Sequence, residues 1–446
     1  MIPARFLSLR QLRNLVRRHQ AAYLRIWAGR LVFWGGAVGV GALSVLFAEL
    51  SEFLTHLFTR AAERHVWLPL LITPLGGALC VWLTRRWFAG SEGSGIPQAL
   101  AEMRRPADLP NWRPLLSIRI IFGKIVLGAS AVGCGFSLGR EGPTVQVGAS
   151  LMNAIHGFLP RSLHIQRNHL LIAGGAAGIA AAFNVPLAGI LFAIEEMSRD
   201  VKARLSGLII TAIILAGITA QALSGSSGNF FGNIFIIAGD SDQIKAVALS
   251  AVLCGLTGGL FARIMVMGAG AWRGRLADLR AARPVIFAAL CGFLVAGMGI
   301  VTGGVIFGSG LEQTRALLEA DEGSIPWHFG PAKFIATLIA YLSGLPGGIF
   351  SPSLAIGAGL GHNLAPLLGQ SDAPGMLLAL CMAGFLAAVT QAPITAFVIV
   401  MEMVDGYSIV ISLMTVSLFS SGISRVLSPP LYSTLANRMI GSQGGR

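Results

Sequence analysis

Four short stretches carry residue types that suit a small anion. Gly93-Ser94-Gly95-Ile96-Pro97 sets glycines and a serine before a proline. Proline suits a first helical turn, because its missing N–H would be unpaired there anyway. The exposed amides around Gly95 and Ile96, the Ser94 hydroxyl and the helix dipole then favour negative charge. The bland alternative is an ordinary helix-start loop. Gly139-Arg140-Glu141-Gly142-Pro143 opens a second apolar helix and puts an acid at its entrance. The Glu141 carboxylate is itself an anion and can occupy the site that such amides make; a helix-capping Glu beside a surface Arg140 is the other reading. Gly347-Gly348-Ile349-Phe350-Ser351-Pro352 offers amides and no acid.

Three further positions can serve charge. Tyr432, in Pro429-Pro430-Leu431-Tyr432, has a hydroxyl that can donate to an anion, or it is a membrane-interface aromatic. Glu195 and Glu196 end an apolar helix, where acids oppose the dipole and need a reason. At membrane depth that reason is functional by default, although one of the two can simply face cytoplasmic water. Lys124 lies inside an apolar run; it either raises the local positive potential or snorkels to the interface.

The elements that must position these residues belong to a membrane. The 446 residues are 54% hydrophobic and only 12% charged, where a soluble domain carries about 25% charge. So few charges cannot cover a water-facing surface. The 57 glycines suit helices that approach closely in lipid. Apolar stretches recur from Leu31–Leu50 to Ile409–Val426. Several are shorter than the roughly 20 residues of a simple span, or are interrupted at Gly142–Pro143, Pro186, Gly347–Gly348, Pro352 and Pro393. Broken membrane helices must turn their free backbone groups toward protein, water or a ligand. The five cysteines are scattered without CxxC or Cys/His spacing, which predicts buried reduced thiols and no metal site.

A net charge of +13 raises the question of nucleic acid, but its distribution excludes that class. Arg5, Arg10, Arg13, Arg17, Arg18, Arg25 and Arg30 precede the first acid and lead straight into Leu31–Leu50. Basic flanks of this kind stay cytoplasmic and are drawn to anionic lipid. Residues 1–30 are therefore expected as a cytoplasmic amphipathic helix at the membrane surface, with no signal-peptide cleavage site.

The chain also repeats itself. Pro186–Met197 reads PLAGILFAIEEM and Pro393–Met403 reads PITAFVIVMEM, each with an acid nine residues after the proline (195 − 186 and 402 − 393). GPTVQVGA from Gly142 and SPSLAIGA from Ser351 align at nearly the same offset. Two halves, residues 31–223 and 244–426, follow, joined by a linker over 224–243 and ended by a segment, 427–446, that carries Tyr432. Transporters use such repeats with the substrate site between them. The repeat establishes duplication and leaves its sense open.

Together GSGIP, GREGP, GGIFSP and the late PLY resemble the CLC family of chloride channels and chloride/proton antiporters, over about residues 30–435. The resemblance implies an all-α polytopic fold of about eighteen tilted or broken helices in two inverted-topology repeats. It further implies a homodimer with one pathway per subunit, in a bacterial inner membrane with the N-terminus cytoplasmic. Ser94 and Tyr432 are implied to coordinate a central chloride, with the amides of Ile349 and Phe350 completing the site. Arg140 and Lys124 would give electrostatic support. Glu141 is implied to be an external gate that competes with the anion and carries the proton. Glu196 matches the internal acid of the antiporters, and Ser94 the chloride-type pattern. The short stretch after Tyr432 implies no paired regulatory domains.

Exchange of chloride for protons, without cofactor or metal, is thus the leading expectation. A passive voltage- or pH-gated chloride channel is the nearest alternative. An intramembrane enzyme is remote, because no HExxH or GxSxG spacing occurs.

Overall fold

Glycines and prolines place the helix starts. Pro69, Pro97, Pro186, Pro284 and Pro393 each fall in the first turn of a helix, where a missing N–H costs nothing. Pro143 and Pro352 sit at the third residue of theirs. Most of these prolines therefore mark helix starts, several of them of helices too short to cross a bilayer alone, such as α3, α7 and α16. The structure, a computed structural model, describes residues 9–106, 112–160, 165–198, 207–225, 231, 242–270, 274–319, 325–369 and 375–444. Among them are eighteen α-helices and no strand, only two isolated β-bridges.

The first half holds α1 (Leu9–Arg64), α2 (Pro69–Trp87), α3 (Ile96–Met103), α4 (Ile118–Gly133), α5 (Glu141–Ile155), α6 (Arg167–Phe183), α7 (Pro186–Phe192) and α8 (Gly207–Ser224). The second holds α9 (Asp242–Gly268), α10 (Arg275–Ala282), α11 (Pro284–Val301), α12 (Leu311–Leu318), α13 (Phe329–Leu342), α14 (Phe350–Leu364), α15 (Gly375–Thr390), α16 (Pro393–Met403) and α17 (Val410–Leu427). Helix α18 (Leu431–Gly444) follows. The basic N-terminal stretch shows no break at residue 30: from Leu9 onward its backbone continues as one helix to Arg64. No proline or capping residue interrupts it there. Most of the expected 224–243 linker lies outside the described residues.

Five of these helical stretches are long and apolar enough to cross a bilayer: Tyr23–Arg64, Gly207–Ser224, Gln243–Gly268, Pro284–Val301 and Gly406–Leu427. They turn large apolar side chains outward, such as Leu46, Leu249, Phe293 and Phe419. Inside that wall α15 is buried from Met376 to Thr390. An apolar surface around an apolar core is what lipid, acting as solvent, permits.

The two halves are upside down relative to one another. Glu195 accepts hydrogen bonds from Ile394 N (3.1 Å) and Thr395 N (2.7 Å) at the start of α16. Its repeat counterpart Glu402 accepts one from Ala188 N (3.1 Å) at the start of α7. Each acid thus caps the other's helix, which requires α7 and α16 to run antiparallel. Gly139 and Gly348, 209 positions apart (348 − 139), exchange N–H···O bonds of 2.8 and 2.6 Å as an antiparallel bridge. A pseudo-two-fold axis in the membrane plane passes between them, as inverted repeats require.

Helices α5 and α6 touch through backbone. A Cβ on Gly148 would meet the Gly174 carbonyl, and one on Gly174 would meet that of Gly148. Gly148→Val and Gly174→Val should each destabilise the protein by about 3 kcal/mol, the upper end of overpacking, because backbone cannot rotate away. Gly297 has open space around it, so Gly297→Ala should be nearly neutral. Thermal unfolding in detergent, compared across the three variants, checks this.

Candidate functional site

The predicted motifs converge on one place. The N-termini of α3, α5, α14 and α18 meet there, although their sequences are scattered from residue 95 to residue 431. Two backbone clamps hold the loops together. Gly93 N donates to Leu345 O and Gly347 N to Gly93 O, both at 3.0 Å, while Gly139 and Gly348 pair as above. Glycine is required where the loops press closest. Gly95 has φ +96°, and any Cβ there would meet Gln146; a Cβ on Gly142 would run into Ser94 Oγ. Gln146 braces the first loop by donating to Gly90 O (2.8 Å) and Leu115 O (2.9 Å).

Ser94 and Tyr432 stand at the centre. Their hydroxyls are neighbours, both residues are buried, and neither oxygen makes a hydrogen bond of good geometry within the protein. Buried hydroxyls ordinarily find a partner. Two such donors, beside helix N-termini, suit a desolvated anion. Tyr432 stacks on Phe350 with ring centroids 6.2 Å apart and planes 6° from parallel, and Phe192 and Phe183 extend that aromatic wall. Gly95, Ile96, Ile349 and Phe350 lie at the starts of α3 and α14, as the motifs led one to expect. Arg104 ties the two halves of the hydroxyl pair together, bonding from the end of α3 to Ser433 Oγ (3.0 Å) and Asn437 Oδ1 (3.1 Å) on α18.

Glu141 is fully buried at the first residue of α5. Its carboxylate does not cap its own helix. It accepts from Ser351 Oγ (2.5 Å) and Ser351 N (3.4 Å) at the start of α14, in the other repeat. Arg140, next in the chain, lines a wide vestibule of ≈ 860 Å³ together with Glu49, Glu52, Ser309, Glu312 and Arg315. Glu141 is thus buried beside an arginine that reaches the open vestibule.

Lys124 does not snorkel. It is fully buried and donates to Ser91 O (2.7 Å) and Gly93 O (2.6 Å), the carbonyls just before Ser94. The sequence reading missed its twin. Lys333, 209 positions later (333 − 124), is equally buried and donates to Ile306 O (2.8 Å) and Gly308 O (2.7 Å), just before a second Gly-Ser-Gly at Gly308-Ser309-Gly310. The repeat offset was the signal that would have found it. Among the described residues both ammonium groups are held by backbone carbonyls and neither forms an ion pair. Ser351 was also missed: its hydroxyl stands within a quoted motif, but only the fold brings it to an acid 210 positions away (351 − 141).

Glu195 and Glu196 part company. Both lie in a π-helical segment, Ala193–Met197, that follows α7. Glu195 is committed to the start of α16, accepting also from Thr395 Oγ1 (2.8 Å). Glu196 is buried and lines a small cavity with Tyr432, Phe350, Phe192, Thr390 and Thr395. Tyr432 lies within electrostatic reach of both Glu196 and Glu141. Among the described residues no three His, Cys, Asp or Glu side chains gather as a metal site would need.

This architecture, inverted repeats closing on a buried meeting of helix N-termini, defines a class of membrane transport protein. A family model described as voltage gated chloride channel matches residues 76–425, and the chain belongs to that family, the CLC family. It is an integral, multi-pass membrane protein, and the relatives it matches are transporters and not enzymes. It is 32% identical over 426 residues to the H(+)/Cl(-) exchange transporter ClcA of Cronobacter sakazakii, covering 90% of this chain and 88% of that one. With the H(+)/Cl(-) exchange transporter ClcA of Klebsiella pneumoniae the identity is 30%, over 85% of this chain and 80% of the other. In structure it is similar to a slow cyanobacterial Cl-/H+ antiporter, at TM-score 0.77 and 25% identity, covering 95% of this chain and 99% of that one. A CLC-type fluoride/proton antiporter shares the fold at TM-score 0.73 and 22% identity, covering 92% and 98%.

Tyr432→Phe deletes one hydroxyl and keeps the ring stacked on Phe350. A hydrogen bond to a charged group contributes roughly 1.5–3 kcal/mol. Chloride binding measured by calorimetry should weaken about tenfold or more in Tyr432→Phe and likewise in Ser94→Ala. Unchanged affinity in both would refute the hydroxyl pair as an anion site.

Proposed function

We propose that the protein is a secondary antiporter that exchanges chloride for protons, Glu141 serving as external gate and proton carrier and Glu196 as internal proton acceptor. The observation that carries this reading is the placement of Tyr432. It brings one of two buried hydroxyls within electrostatic reach of both Glu141, whose neighbour Arg140 lines the vestibule, and Glu196, which lines the small cavity beside it. Chloride is held at the centre by the Ser94 and Tyr432 hydroxyls and the amides of Gly95, Ile96, Ile349 and Phe350. Lys124 and Arg140 supply positive potential.

The mechanism follows from competition and proton transfer. An ionised Glu141 occupies the outer end of the pathway, seated on the α14 N-terminus as an anion would be. Protonation removes its charge, releases it from that seat and lets chloride take the place. A bare proton cannot cross the apolar interior, so a second carboxylate must receive it on the far side. Glu196 occupies that position, while Glu195 is engaged in capping. Relatives named as H(+)/Cl(-) exchange transporters support the choice of exchange over passive conduction.

The setting is a bacterial inner membrane, with the arginine-rich N-terminus cytoplasmic. The working unit is a homodimer with one pathway per subunit. Apolar side chains on α7, α8, α16 and α17, among them Leu187, Ile218, Ile394 and Leu418, stay exposed and offer a face for the partner subunit.

Paired recording of chloride and proton flux in liposomes tests the assignment. Glu141→Gln, a mimic of the protonated form, should pass chloride without pH dependence and without protons; proton pumping by this variant would sink the gate. Glu196→Gln should abolish proton flux and retain chloride flux, with a smaller effect for Glu195→Gln. Chloride flux in the unmodified protein with no measurable proton movement would replace exchange by passive conduction.

A further inference from the structure

We propose that Ser351 is a latch on the gate: its hydroxyl holds the ionised Glu141 carboxylate in the closed position and so sets the pH at which transport turns on. This rests on the reading of Glu141 as a proton-carrying gate. It adds a positioning residue from the opposite repeat.

Ser351 is the second residue of α14 and Glu141 the first of α5. Both are fully buried. One serine engages both carboxylate oxygens, through Oγ–H to Oε1 at 2.5 Å and N–H to Oε2 at 3.4 Å. The amide contact is long and is available to any residue at this position. The hydroxyl contact is one that only a hydroxyl side chain supplies, and an O–H donor to an ionised carboxylate makes a charge-assisted bond. A helical serine often spends its hydroxyl on the carbonyl four residues back. For Ser351 that would be residue 347, which precedes the helix, so the hydroxyl is free to reach across the repeat boundary.

The contact discriminates between the two states of the gate. A carboxylate accepts strongly from a hydroxyl, whereas a protonated acid accepts more weakly and has lost the attraction of its charge. Ser351 therefore favours the ionised, seated form, and protonation weakens the latch at the moment the gate must move. The packing leaves little else to take over. A Cβ on Gly139 would collide with Glu141 Oε2 and approach Ser351 Cβ and Pro352, so the carboxylate sits in a close-fitting slot.

Other titratable groups face this region from several elements. Arg140 adjoins Glu141 in the chain. Lys124 on α4 lies behind the Ser94 loop, and Tyr432 on α18 lies within electrostatic reach. Across the vestibule from Arg140 stand Glu49, Glu52 and Glu63 of α1 and Glu312 and Arg315 of α12, with Lys333 of α13 beside Gly310 at its wall. The end of α6 that packs here, Gly178–Phe183, carries none. None of these is a hydrogen-bond donor on Glu141; among the described contacts Ser351 supplies both.

The test is chloride efflux from liposomes as a function of pH, with proton flux recorded in parallel. Removing a donor that favours the ionised carboxylate makes protonation easier, so activation on acidification should begin at higher pH. In Ser351→Ala the activation midpoint should rise by about one pH unit, a tenfold change in the protonation equilibrium. Proton coupling should persist, and Ser351→Thr should restore the midpoint. In the Glu141→Gln background, adding Ser351→Ala should change nothing. If Ser351→Ala fails to yield a folded protein, Ser351→Cys, a weaker donor, should give a smaller shift in the same direction. An unmoved or lowered midpoint, with Glu141→Gln itself independent of pH, overturns the latch and leaves the gate standing. Persistent pH dependence in Glu141→Gln would overturn the gate, and the latch with it.

Discussion

Inside a bilayer an anion can shed its water only where fixed donors replace it, and a chain buried in lipid has few donors to spare. Full positive charges are costly there, whereas the first amides of a helix are unpaired in any case. Ending helices at mid-membrane exposes those amides, but it also exposes backbone that lipid cannot satisfy. The remainder of the fold answers that conflict. Short helices α3, α5 and α14 aim their N-termini at one another, and the glycine loops before them clamp together by backbone bonds. The spanning helices form the wall that keeps lipid away. Lys124 and Lys333 complete the loops by binding carbonyls that would otherwise turn their negative ends inward.

The two-fold repeat is kept where it supports and broken where it works. The lysines, the Gly139–Gly348 pair and the reciprocal caps Glu195 and Glu402 are symmetric. At the starts of α5 and α14 the symmetry fails: Glu141 begins α5, and its counterpart, 209 positions on (350 − 141), is Phe350 at the start of α14. One repeat contributes an acid to the centre and the other an aromatic ring that stacks on Tyr432. Tyr432 itself comes from α18, which has no counterpart among the described residues of the first half. A symmetric scaffold thus holds an asymmetric pathway, with different chemistry on its vestibule side and its cavity side.

Adjacent acids show how little a local pattern decides about role. Glu195 and Glu196 are neighbours at the end of one apolar helix, chemically identical and equally out of place against the dipole. The direction each side chain takes, in a locally widened π-helical segment, sends Glu195 to the amides of α16 and Glu196 to the cavity beside Tyr432. Lys124 makes the same point: a lysine in an apolar run reads equally as snorkelling or as buried, and carbonyls from a loop 31 positions earlier decide the matter.

The sequence by itself determined the membrane setting, the all-helical class, the duplication and the motif residues. Those properties are written in local composition and spacing: too little charge for a water-facing surface, prolines at helix starts, and acids nine residues after a proline in both halves. It did not determine that the second half is inverted, because helices of either sense share the same apolar pattern. Only the tertiary structure decided that, through the antiparallel pairing of equivalent residues and the caps exchanged between α7 and α16. It also decided which donors meet which acceptors across roughly 200 positions of chain, Ser351 with Glu141 above all. A hydrogen bond depends on distance and angle in space, and sequence spacing fixes neither beyond a few turns of one helix.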